Sequence, residues 1–166
     1  MKLPTDMKIN GKYYSKGSDI SAFKIYPFFL FHMLSFGSFS VAMAYATDDV
    51  PLEALYLFGG FAILVYLLLY LKIFGLDEVK WMFINAGIGA FGIYLNIDWM
   101  LSYIGKGFND FPLSVHAIPF MFYVLYTFLI RQALIDIANA RENPARREFV
   151  ENAYIVIFVL LYLYLM

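Results

Sequence analysis

Long apolar runs separated by short charged loops set the pattern of this chain. Apolar residues dominate 25–46, 52–74, 79–104, 113–139 and 149–166, while Lys, Arg, Asp and Glu gather between them. About 20 apolar residues in a row is the length a helix needs to cross the ~30 Å hydrocarbon layer. The five runs predict an all-α membrane protein, a bundle of five transmembrane helices joined by short loops. The fifth run is the shortest. Its alternative reading is an interfacial or half-spanning C-terminal helix after four full spans.

Two units follow. Residues 1–24 read as a cytoplasmic polar arm, and 25–166 as a single transmembrane helical domain. The arm, with Lys2, Lys8, Lys12, Lys16 and Lys24 around NGKYYSKGSD, is turn-rich and is expected to be too short to bury a core. Its lysines read as flanking positive charge, with lipid binding as the alternative. The first apolar run is too long for a signal-peptide core, so it is expected to stay as a helix. Pro27 is expected in its first turn, where the missing N–H costs nothing.

Composition sharpens the picture. The chain is 62% hydrophobic and 15% charged, against about half and a quarter in soluble domains. It has no cysteine, which excludes disulfides, thiolate metal sites, iron–sulfur clusters and a cysteine nucleophile. With two histidines, no metal site and no cofactor are expected. A net charge of −1 gives no case for nucleic acid.

Charge also predicts orientation. Lys2, Lys8, Lys12, Lys16, Lys24, Lys72, Lys80, Arg131, Arg141, Arg146 and Arg147 fall on one side of a five-span bundle, and Lys106 alone on the other. The lysine and arginine bias of short loops marks the cytoplasmic side. The N-terminus is therefore expected in the cytoplasm and the C-terminus on the opposite side. The loop TDDVPLE is acidic and lies outside.

The third run, WMFINAGIGAFGIYLNIDW, holds most of the intramembrane polarity. Gly87, Gly89 and Gly92 spell G-x-G-x-x-G, but no strand precedes them, so a dinucleotide site is excluded. Asn85, Gly89, Gly92 and Asn96 recur at steps of 4, 3 and 4 and line one helix face. Small residues let helices approach closely, and amides in hydrocarbon seek bonds to neighbouring helices. His32 and Ser35 on the first helix, and Tyr123 and Thr127 on the fourth, extend this polar face. It serves either as a packing seam or as a transport path. Helices one, three and four are therefore expected inside, with two and five peripheral. Trp81 and Trp99 bracket the third run and suit the two interfaces.

Two charged pairs complete the set. Asp98 and His116 are expected together at the outer face, a candidate acid–base unit. Arg131 and Glu151 are expected to pair at the inner face.

The function expected from all this is a non-enzymatic accessory or structural subunit of a membrane assembly, partnered in the bilayer by another protein or a second copy. A small oligomeric transporter or channel using the polar faces of helices one, three and four is the alternative. A lipid-acting membrane enzyme built on Asp98 and His116 ranks third.

Overall fold

The computed structural model describes residues 2–9, 11–46 and 51–165. Six α-helices make up most of it: α1 (Ala22–Tyr45), α2 (Leu52–Phe74), α3 (Leu76–Ile88), α4 (Ala90–Ser102), α5 (Leu113–Ile137) and α6 (Pro144–Leu165). A small antiparallel hairpin, β1 (Met7–Ile9) and β2 (Lys12–Tyr14), precedes them. The acidic residues 47–50 and the terminal Met166 lie outside the described residues.

Among the described residues, three helices are long and apolar enough to cross a membrane: α1, α2 and α5, of 24, 23 and 25 residues. At 1.5 Å per residue each reaches about 35 Å, more than the hydrocarbon layer needs. The third apolar run is not one regular helix. It divides at Gly89 into α3 and α4, each of 13 residues. Gly89 leaves helical geometry (φ −84°, ψ 3°), and glycine is a usual site for such a break. The backbone ladder still bridges it, with Gly89 N donating to Asn85 O at 2.8 Å and Ile93 N to Gly89 O at 3.1 Å.

α1, α2 and α5 form the inner cluster, which corrects the expected order of packing. Helix two is central because of a feature its bulky composition hides. A Cβ on Gly59 would come within 2.5 Å of Ile118 Cγ2 and 3.2 Å of Ser40 Oγ. So α2 presses its backbone against α5 and α1 at that point. Below it lies an aromatic stack. Tyr70 is fully buried, with ring centroids of Phe29, Phe74 and Phe128 at 5.4, 5.4 and 5.1 Å. Its hydroxyl lies 2.9 Å from Met33 Sδ and 3.2 Å from the Leu125 carbonyl. α3, α4 and α6 flank this core.

Boundaries have local causes. Gly75 takes φ +91°, ends α2 and starts α3; a side chain there would be strained. Asn139 takes φ 50° after α5, and Ala140 N returns to Ile135 O at 2.9 Å, a left-handed helix stop in which asparagine replaces the usual glycine. α1 begins at Ala22, earlier than expected, so Pro27 lies inside the helix and not in its first turn. There the ring removes one helical hydrogen bond.

The N-terminal arm is also more ordered than expected. Leu3 and Ile20 are buried in the bundle's own core. Leu3 N donates to Ser18 O at 3.1 Å, and Gly17 N to Leu3 O at 2.8 Å. Thr5 Oγ1 donates to the Lys72 carbonyl at 3.1 Å. The arm caps one end of the bundle by burying two apolar side chains that its polar composition conceals.

Candidate functional site

The expected intramembrane polar face does not assemble into one lining. Asn85 is exposed, Gly92 buried and Asn96 half-buried. Asn96 Nδ2 donates to Gly92 O at 2.8 Å, one turn back on its own helix, not to a neighbour. The same local bond recurs elsewhere. His32 Nδ1 donates to Phe28 O at 2.8 Å, Ser35 Oγ to Phe31 O at 2.9 Å, and Thr127 Oγ1 to Tyr123 O at 3.0 Å. Each group meets its need for a partner on its own helix. Ser35 is exposed and His32 and Tyr123 half-buried. Gly89 is half-buried, and a Cβ there would meet only the Asn85 carbonyl. Trp81 and Trp99 are both exposed.

The outer pair is not a direct pair. Asp98 Oδ1 accepts from Phe108 N at 2.7 Å, while His116 Nε2 donates to Phe108 O at 3.0 Å. The two peptide groups flanking Phe108 thus stand between carboxylate and imidazole. The Phe108 ring also stacks on His116 at 3.7 Å between centroids. A carbonyl can only accept, so the hydrogen sits on Nε2 of the neutral ring, and Tyr45 donates its hydroxyl to Nδ1 at 2.8 Å. His116 is 2% exposed and both its nitrogens are engaged. Beside it, α4 and α5 leave a pocket of about 250 Å³, walled by Tyr94, Ile97, Phe108, His116 and Phe120. No ring nitrogen is left over to act as a base toward that pocket.

The largest constellation among the described residues lies at the end expected to face inward. Arg131 Nη2 lies 2.5 Å from Glu151 Oε1, bringing that expected pair together. The pair is half of a closed ring. Arg131 Nη1 reaches Glu78 Oε2 at 3.2 Å, Arg147 Nη2 reaches Glu78 Oε1 at 2.5 Å, and Arg147 Nε reaches Glu151 Oε1 at 2.8 Å. Gln132, fully buried, extends it: Nε2 donates to Glu78 Oε2 at 2.7 Å, and Oε1 accepts from Arg141 Nη2 at 2.9 Å. Arg141 grips Asp136 with two bonds, at 2.6 and 3.0 Å, and the Tyr26 hydroxyl donates to the same carboxylate. One network thus joins α1, α3, α5, α6 and the linker between the last two. Three arginines face three carboxylates, so it is neutral.

Burial alone pushes the Glu78 carboxyl up. Hydrogen bonds from Arg147 and Gln132, with the charges of Arg147 and Arg131, outweigh that and hold it below its usual 4.5. Glu78, Gln132 and Asp136 stand outside the residues to which the sequence points, and Arg141 and Arg147 enter there only as loop charge. Local signals exist for some: Gln132 and Asp136, and Arg147 and Glu151, stand four apart on one helix face.

Compared with known proteins, the chain matches no family model, no curated relative and no solved structure.

Proposed function

We propose that the protein is a non-enzymatic, membrane-embedded subunit that braces a larger assembly. It crosses the bilayer five times, with α3 and α4 together forming one crossing and α6 the last. Its N-terminus is cytoplasmic and its C-terminus is on the opposite side.

The observation that carries this reading is how the intramembrane polar groups are satisfied. Asn96, His32, Ser35 and Thr127 each bond a carbonyl of their own helix. A transport path needs such groups to converge on a common lumen. Here each is turned back onto its own helix, and the central contact of α1, α2 and α5 is aromatic and aliphatic. An enzyme built on His116 would need a free nitrogen, and both are engaged. The inner network, by contrast, fixes five elements against one another, as suits a rigid strut. The outer faces of α1 and α2 leave Phe31, Phe39, Leu57 and Phe61 exposed. These are surfaces that hydrocarbon or another membrane helix can cover.

Extraction in a mild neutral detergent tests the reading. The chain should migrate with other membrane polypeptides as an assembly well above its own 19.2 kDa. A lone, monodisperse species from its native membrane would sink it. So would proteoliposome flux that Asn96→Leu abolishes in a folded protein.

A further inference from the structure

Basic groups at the end holding the arginine network differ in their partners, and exposed Lys72 and Arg146 form no ion pair among the described residues. Arg131, Arg141 and Arg147 are all opposed by carboxylates within the neutral network. Lys2 and Lys80 also have acidic partners, Glu142 at 2.5 Å and Asp77 at 4.0 Å. Lys8, Lys12, Lys16 and Lys24 differ. All four are exposed, and none of them forms an ion pair among the described residues. Residues 2–24 hold five lysines against Asp6 and Asp19. The Asp6 carboxylate is already occupied by the Tyr13 hydroxyl at 2.9 Å and Lys16 N at 2.6 Å.

We propose that this folded hairpin is a docking surface for anionic lipid headgroups in the leaflet on its own side of the bundle. Charge complementarity is the first support. Lysine clusters immediately before a membrane helix attract acidic lipids, each lysine adding to the attraction. Order is the second. Setting topology requires only positive charge in a loop, yet here the lysines stand on a fixed frame. Lys8 pairs across the strands with Tyr13, and Lys12 Nζ lies 5.5 Å over the Tyr14 ring. The frame is pinned by buried Leu3 and Ile20 and by Thr5 on the Lys72 carbonyl. Aromatic placement is the third. Tyr13 is 65% exposed, and Phe23, next to Lys24 at the start of α1, is 87% exposed. Basic and aromatic side chains presented together suit the headgroup layer; a purely acidic protein surface would leave Phe23 uncovered. The inference needs only that α1 lies in a membrane, not that the protein is a subunit of anything.

The full chain in neutral detergent, titrated with phosphatidylglycerol or phosphatidylcholine and followed by native mass spectrometry, supplies the test. The natural chain should retain phosphatidylglycerol in preference. The variant Lys8→Gln/Lys12→Gln/Lys16→Gln should lose that preference by about tenfold, and high salt should weaken it in the natural chain. Lys80→Gln, which alters a lysine already paired, should behave as the natural chain. Helical circular dichroism checks that the variants fold. Equal retention of both lipids by the natural chain would overturn the proposal and turn attention to an acidic protein partner. An undiminished preference in the folded triple variant would overturn it as well.

Discussion

Glu78 is the residue on which the inner end turns. It accepts from Arg131, Arg147 and Gln132, on two different helices, and its side chain is 14% exposed. Glu78→Gln keeps the shape and removes the charge, leaving Arg131 and Arg147 with Glu151 alone. Breaking a half-buried ionic network in this way costs about 1–3 kcal/mol, read as a lower unfolding midpoint in detergent. The pH dependence has a definite sign. The carboxyl titrates lower in the folded protein than its usual 4.5. Its contribution is therefore complete above about 4.5 and is lost as pH falls through the depressed folded value. Glu78→Gln should flatten that acid limb of the stability profile; an identical limb in the variant would show that the ring does not act through Glu78. Sequence reading reached Arg131 and Glu151 because both flank one turn of the chain. Glu78 stands 53 positions before Arg131, and only the fold brings α3 alongside.

At the scale of elements, the extent of α2 was legible and its orientation was not, while α1 and α6 begin earlier than their apolar runs, at Ala22 and Pro144. The ends of α2 are written in Pro51 and Gly75, and the observed helix Leu52–Phe74 matches the expected bounds. Which face it buries could not be read, because apolar residues surround the helix and give no preferred side. Gly59 decides the matter through backbone approach, not through any apolar stripe. Gly59→Ala should destabilise the protein by about 1–3 kcal/mol, since a methyl there collides with Ile118 and Ser40. Gly60 provides the control. A Cβ at that position meets only Ile118 Cδ1, at 4.0 Å, so Gly60→Ala should be neutral or mildly stabilising through helix propensity. Matching melting curves for the two variants would mean that α2 does not pack through Gly59. The division at Gly89 was obscured for a related reason. Gly87, Gly89 and Gly92 suit a packing seam and a helix break equally well, and only the backbone geometry distinguishes them.

At the scale of the whole molecule, two separate sets of contacts define the two ends. Tyr45, Tyr56, Asp98 and His116 meet at one end through Tyr45–His116, the Tyr56 hydroxyl on Ser114 O at 2.8 Å, and the shared Phe108 peptides. The arm, Lys72, Glu78, Arg131 and Arg147 meet at the other. Loop charge anticipated that sorting, because insertion acts on local lysine and arginine content and needs no knowledge of packing. Which end faces the cytoplasm, and whether α6 crosses completely, can be read directly because the natural chain has no cysteine. Single cysteines at exposed Ser15, Asn109 and Tyr164 would each report one position to a membrane-impermeant thiol reagent on intact cells. Asn109→Cys and Tyr164→Cys should label from outside, and Ser15→Cys only after permeabilisation. Labelling of Tyr164→Cys only from the cytoplasmic side would make α6 a helix that returns without crossing and leave four spans. Labelling of Asn109→Cys from the same side as Ser15→Cys would remove the joint α3–α4 crossing, and with it the assignment of the arginine network and the lysine hairpin to the cytoplasmic face.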